Sequence, residues 1–135
     1  MVGILVVTHR QLAEALLATC DLILGHMEKV QAVSLEPNAT PEEARQQISS
    51  ACNQINSGKG VLILTDMFGG TPSNLSLSLL KNGQVEVVTG VNLPMLMKVA
   101  SLRKNSHHNL KEIALALKEA GQRGISVASE MLQQK

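Results

Sequence analysis

Aromatic side chains are almost missing from this chain: it has no Trp and no Tyr, and Phe68 is its only Phe. The core must therefore be aliphatic. Cysteine is nearly as scarce. Cys20 and Cys52 both fall in helix-like, partly apolar patterns and read as small buried hydrophobes in a reducing compartment; a disulfide is the alternative. No apolar run reaches the ~18 residues of a membrane span. The first residues are strand-like, with no basic region or small-residue cleavage site, so no signal peptide is expected. Charge of one sign is missing too. Twelve Lys and Arg face 11 Asp and Glu, for a net charge of +1, and the two signs are interspersed. That argues against a basic nucleic-acid face and an acidic tail. Metal-ligand spacings, repeats and low-complexity stretches are also lacking. A chain of 135 residues can bury a full core without disulfides or a metal. The expectation is one cytoplasmic domain over 1–135, with no cofactor and no metal.

What is present is alternation. "VGILVVT" (2–8) reads as a strand buried on both faces. Leu12, Leu16, Thr19 and Ile23 then recur at helical spacing, which predicts a helix over 10–24 closed by Gly25. "VQAVSL" (30–35) alternates like a strand. In the next segment Thr40 is an N-cap, Pro41 takes the first helical position, and Glu43 completes a capping box. Its apolar stripe is Ala44, Ile48, Ala51, Cys52 and Ile55. "GVLILT" (60–65) is a third strand. "TPSNLSLSLL" (71–80) carries a strand period in its Leu–Ser alternation, yet Thr71-Pro72 is a helix start, and the expectation is a helix. "VEVVTG" (85–90) is a fourth strand, and Pro94 opens a short helix to about Arg103. Asn109 and Glu112 cap a last helix, which Gly121 ends. The tail from Ile125 is weakly patterned.

Strands buried on both faces and separated by helices predict an α/β fold: an open, doubly wound, mostly parallel sheet with helices on both faces. The expected order starts 2-1-3-4, which makes strands 1 and 3 neighbours. Ligands gather at the carboxyl ends of such strands, where the winding reverses. Strand 1 ends in "THR" and strand 3 in "TDMFGGTPSN", so His9 and Asp66 leave adjacent strands at one edge. Neighbouring strands lie ~4.8 Å apart, and the two side chains can meet. A carboxylate that accepts one ring N–H fixes the tautomer and stabilises the cation formed when the other nitrogen attacks. That combination is a nucleophilic histidine. Anion-binding elements surround it: the N-terminus of the following helix, Gly69 and Gly70 for close backbone approach, and the hydroxyls of Thr8, Thr71 and Ser73. Together they suit a phosphoryl group. Each element also has a plainer reading, as a loop histidine, a turn-forming Asp and a tight turn into a capped helix. The glycines fit neither the Walker pattern nor the dinucleotide fingerprint.

The other candidates divide differently. His26, His107 and His108 read as solvated loop residues. Phe68 is either core filler or an exposed partner contact. Met95 and Met97 fill the core or form a soft contact surface.

On these residues the sequence resembles the mannose-family enzyme IIA domain of the bacterial phosphotransferase system, over nearly the whole chain. "GILVVTH" is similar to that family's first strand with its phosphorylated histidine. "GVLILTDMFGGTPSN" is similar to its third strand and site loop, and "VTGVNLPML" to its fourth strand and following helix. The resemblance implies a phosphorelay. A histidine phosphocarrier protein gives its phosphoryl group to the histidine, here His9, with Asp66 as carboxylate partner and Thr8 and Thr71 at hydroxyl positions. A IIB protein that serves a membrane permease then accepts it, which would place the protein peripherally at the inner membrane. The resemblance also implies a homodimer with an added antiparallel strand exchanged by the C-terminal segment. Family members commonly have Gly where this chain has Arg10, a cation able to hold phosphate or to alter docking. Phe68 replaces a Trp of some relatives, and Ser73 stands where an aromatic can occur. No IIB segment follows, so the acceptor is expected on another chain.

Three classes of function remain open at this point: a phosphorelay phosphotransferase, a regulatory module that docks according to the phosphorylation of His9, and a flavodoxin-like small-molecule binder without phosphohistidine.

Overall fold

Four segments rich in Val, Ile and Leu form the sheet, the two central ones buried on both faces and the two outer ones half-buried. In the computed structural model, which describes residues 1–105 and 107–133, these strands are β1 (Gly3–His9), β2 (Val30–Leu35), β3 (Val61–Thr65) and β4 (Val85–Thr89). All three pairings are parallel, in the order β2-β1-β3-β4. Between and after them lie α1 (Leu12–Leu24), α2 (Pro41–Ile55), α3 (Thr71–Leu77), α4 (Leu93–Leu102), α5 (Leu110–Arg123) and α6 (Ala128–Gln133).

The pleat sorts the core into two layers. Ile4, Val6, Leu62 and Leu64 pack under α1, α4 and α5, where Leu96, Val99 and Leu117 are buried. Leu5, Val7 and Ile63 pack on the other face against Ile48, Ala51 and Ile55 of α2 and against Leu75 beside them. The doubly wound reading therefore holds. Cys20 and Cys52 are free and buried, one in each layer, with the sheet between them. Burial pushes the Cys52 thiol up to about 11. Burial, then the charge of Asp21, also raises Cys20. Both are packing residues rather than thiolate nucleophiles.

Local signals set most of the helix starts. Asn109 accepts from the Glu112 N–H at 2.8 Å, and the Glu112 carboxylate accepts from the Asn109 N–H at 2.9 Å, a complete capping box. The box expected at Thr40 is only half made: Thr40 Oγ1 accepts from the Glu43 N–H at 3.1 Å, but the Glu43 side chain does not reach back. Glu43 is exposed, and an exposed carboxylate gains little by exchanging water for one backbone N–H.

Three further expectations need correction. In α1 the buried residues are Ala13 and Cys20, while Leu12, Thr19 and Ile23 face outward. Apolar residues run right around this helix, so spacing alone cannot select the inner face; the small side chains take it because they allow close approach to the sheet. Helix α3 stops at Leu77, short of Leu80, and buries Pro72, Ser73 and Ser76. Gly121 does not end α5 but lies inside it. A Cβ there would stand 2.8 Å from Met95 Cε, and its carbonyl accepts from Asn92 Nδ2 at 3.0 Å. It is the small residue that lets α4 and α5 pack closely. In the single chain Ala128–Gln133 of the tail is helix α6, with no buried residue; the strand that the resemblance implies is one exchanged with a second subunit. Ala, Glu, Met, Leu and Gln are good helix formers, and in the single chain this segment does not pair with the free edge of β4.

Candidate active site

The register delivers the site. Val7 pairs with Thr65, so His9 and Asp66 leave β1 and β3 at the same edge. Asp66 Oδ2 accepts from the His9 backbone N–H at 3.0 Å and lies 2.8 Å from His9 Nδ1. Oδ1 accepts from the Met67 N–H at 3.0 Å. Partial burial works to raise the Asp66 carboxyl. The His9 backbone N–H, the ring hydrogen bond and charge of His9, and the Met67 N–H together outweigh it and hold the carboxyl below its ordinary value. Asp66 is thus an anion at neutral pH, and an anionic carboxylate only accepts hydrogen bonds. Nδ1 must therefore carry the proton, and Nε2 keeps its lone pair. The His9 side chain is 51% exposed and that of Asp66 13%: the orienter is sheltered and the ring is presented.

Glycine sets the space around the ring. A Cβ on Gly70 would stand 2.7 Å from His9 Cε1 and 3.2 Å from Nε2. Only a hydrogen fits there. Gly69 has a φ of 94°, a left-handed turn that favours glycine. We expect Gly70→Ala to fold normally, because the crowded ring is free to swing into solvent. The swing would break the bond to Asp66, and phosphoryl acceptance should drop about tenfold or more, given that ~1 Å of misplacement can cost 10²-fold. Stopped-time phosphorylation assays beside a thermal melt check this; an unchanged rate would show that ring placement is unimportant.

The remaining candidates separate. His9, Arg10 and Thr71 line one cavity of about 280 Å³. Arg10 has a φ of 47°, a conformation that costs a non-glycine residue of order 1 kcal/mol. Phe68, 71% exposed, is not core filler and stands at the surface beside exposed Met67. Thr8 and Ser73 are fully buried and do not line the cavity. The Thr8 hydroxyl accepts from the Ala13 N–H at 2.8 Å, which caps α1; the Ser73 hydroxyl has no partner among the described residues. Among the histidines outside the site, His26 and His107 are exposed. Met95 is buried, and Met97 packs against the core.

Sequence reasoning missed the wall formed after β2. Leu35, Glu36, Pro37 and Ala39 line the same cavity. The signal was available: β2 borders β1 in the expected order, so the loop after β2 must flank His9.

The model of the EIIA-man family, described as "PTS system fructose IIA component", matches residues 3–118. The chain belongs to the EIIA-man family. Among curated relatives of this EIIA-type chain, the mannose-specific EIIAB component of Escherichia coli K12 is 31% identical over 125 residues, which is 92% of this chain and 38% of that protein. The chain thus spans well under half the length of that relative. The fructose-specific EIIA component of Bacillus subtilis is 31% identical over 134 residues, 98% of this chain and 90% of that one. Among solved structures, an EIIA component from Streptococcus agalactiae superposes with a TM-score of 0.86 at 27% identity, covering 96% of this chain and 99% of its own. A PTS IIA protein associated with the fucose utilization operon of Streptococcus pneumoniae gives 0.83 at 29% identity, covering 97% and 96%. The fold of this EIIA-type chain is accordingly that of solved PTS IIA proteins.

Proposed function

We propose that this protein is a phosphotransferase of a sugar phosphotransferase system that takes a phosphoryl group onto His9 Nε2 from a histidine phosphocarrier protein and passes it to a IIB protein. The observation that carries the reading is the 2.8 Å contact of His9 Nδ1 with Asp66. In the transfer the donor's P–N bond breaks and its electron pair stays on the donor nitrogen. The Nε2 lone pair forms the new P–N bond. The Nδ1 proton remains between His9 and Asp66, whose negative charge balances the ring cation. No further covalent machinery is needed: the nucleophile is positioned and the charge it develops already has a partner. Arg10, Gly69, Gly70 and Thr71 are the groups nearest the incoming phosphoryl. Thr8 and Ser73 act from behind, Thr8 by capping α1. Phe68 offers an apolar contact to whichever partner docks. Among the described residues no helix is long and apolar enough to cross a membrane, and we place the protein in the cytoplasm, reaching the inner membrane through its permease complex.

The test is incubation with phosphoenolpyruvate, enzyme I and the phosphocarrier protein, read by mass spectrometry. Acid-labile phosphate on His9 is the expected product. Its onward loss to added IIB protein supports the relay; a stable phosphoprotein that never passes its group would instead favour a regulatory module.

We also propose a homodimer formed by exchange of the tail as an antiparallel strand. Support comes from both halves of the contact. β4 is the sheet edge, and a groove of about 380 Å³ runs between it and α5. Unpaired edges of this kind invite a strand. The tail exposes Ile125, Val127, Met131 and Leu132, and Ile125 and Val127 alternate as a strand would. Sedimentation should give a dimer, and deletion from Gly124 onward should lower stability or cause aggregation. A monomer at all concentrations would refute the exchange.

A further inference from the structure

Arg10 occupies a backbone conformation suited to glycine, with φ at 47°, and among the described residues its guanidinium forms no ion pair. Its backbone N–H donates to the Leu35 carbonyl at 3.1 Å and its carbonyl accepts from Thr8 Oγ1 at 3.5 Å; these contacts hold the turn, and the guanidinium takes no part in them. Strained residues of this sort persist where the surrounding structure holds them, and they cluster at functional sites. Among the described residues, Arg10 is the one Lys or Arg lining the cavity that also holds His9 and Thr71. Glu36 lines that cavity too, so Arg10 also offsets a carboxylate that faces the phosphoryl dianion. We propose that Arg10 clamps the phosphoryl group once it is on His9 and thereby prolongs the phosphorylated state. This rests on the reading of His9 as the acceptor.

The chemistry favours retention over loss. Phosphohistidine hydrolysis breaks the P–N bond, returns its electron pair to Nε2 and adds water oxygen to phosphorus; the released phosphate monoanion carries both water protons. The transition state is loose and metaphosphate-like. Charge on the phosphoryl oxygens is greatest before the bond breaks, so a guanidinium on those oxygens stabilises the phosphoprotein more than the transition state. A forked, charge-assisted pair is the strongest side-chain contact open to these oxygens.

The experiment measures the half-life of phospho-His9 after donor proteins are removed, so partner docking plays no part. Arg10→Gly and Arg10→Asn both accept a left-handed backbone and both lack the cation. Each should shorten the half-life about tenfold, the scale of one charge-assisted contact. Arg10→Lys, a point charge without the fork, should fall between. Arg10→Gly should also raise the melting temperature of the unphosphorylated protein. Half-lives of the Gly and Asn variants within twofold of wild type, with phosphate normally on His9, would overturn the clamp alone. A wild-type protein that takes no phosphate on His9 would overturn the acceptor reading and the clamp with it.

Discussion

His9→Gln will fold as the wild type does and accept no phosphate. The expectation of complete loss follows from the uniqueness of Nε2. It is the one nitrogen in the site that keeps a lone pair while its ring partner is held at 2.8 Å from a carboxylate. Glutamine replaces the ring by an amide, whose nitrogen is not a nucleophile. The fold should survive because the ring lies at the sheet edge, half exposed, and its backbone N–H still reaches Asp66. The check is phosphate incorporation in the purified variant beside its circular dichroism spectrum. Phosphate found on His26, His107 or His108 of that variant would end the assignment to His9.

Asp66→Asn should keep the fold and slow phosphoryl acceptance by roughly 10² to 10³. The amide cannot satisfy both of its neighbours. With its oxygen toward His9 it accepts the two His9 N–H groups, but its NH₂ then faces the Met67 N–H that the carboxylate now accepts. Turned the other way, NH₂ faces the His9 backbone N–H and makes Nδ1 the acceptor. The ring proton then moves to Nε2, and the nucleophile is lost. In either orientation the negative charge that balances the ring cation is gone. In a serine-protease triad the matching change costs about 10⁴; the loss here should be smaller, because groups around the phosphoryl oxygens still act. The rate of transfer from the phosphocarrier protein to well-folded Asp66→Asn decides it. A rate within twofold of wild type would reduce Asp66 to a turn former.

The sheet was legible because its strands are apolar on both faces and short, a pattern that buried parallel strands share. From the order 2-1-3-4 it followed that His9 and Asp66 would meet, and the register bears this out. What escaped the sequence depended on rotation and on distant neighbours. Apolar spacing in α1 could not say that Ala13 and Cys20 face the sheet. Gly121 looked like a helix end because Gly usually is one; its use against Met95 and Asn92 depends on a helix 26 or more residues earlier. Thr8 looked like a ligand group because it adjoins His9, yet in a strand adjacent side chains point to opposite faces, and its hydroxyl caps α1. The strained backbone of Arg10 is marked by nothing in the chain's own residues, only by the Gly that the resembled family commonly has there.

In the proposed relay, Asp66 holds the proton on Nδ1 so that Nε2 takes the phosphoryl group. Nuclear magnetic resonance of the phosphorylated protein, with nitrogen-labelled histidine, tests it most directly. Phosphorus should couple to Nε2 of His9, with a proton retained on Nδ1 that exchanges only slowly with solvent. Coupling to Nδ1 instead, or a phosphorylated ring whose Nδ1 has lost its proton, would contradict it.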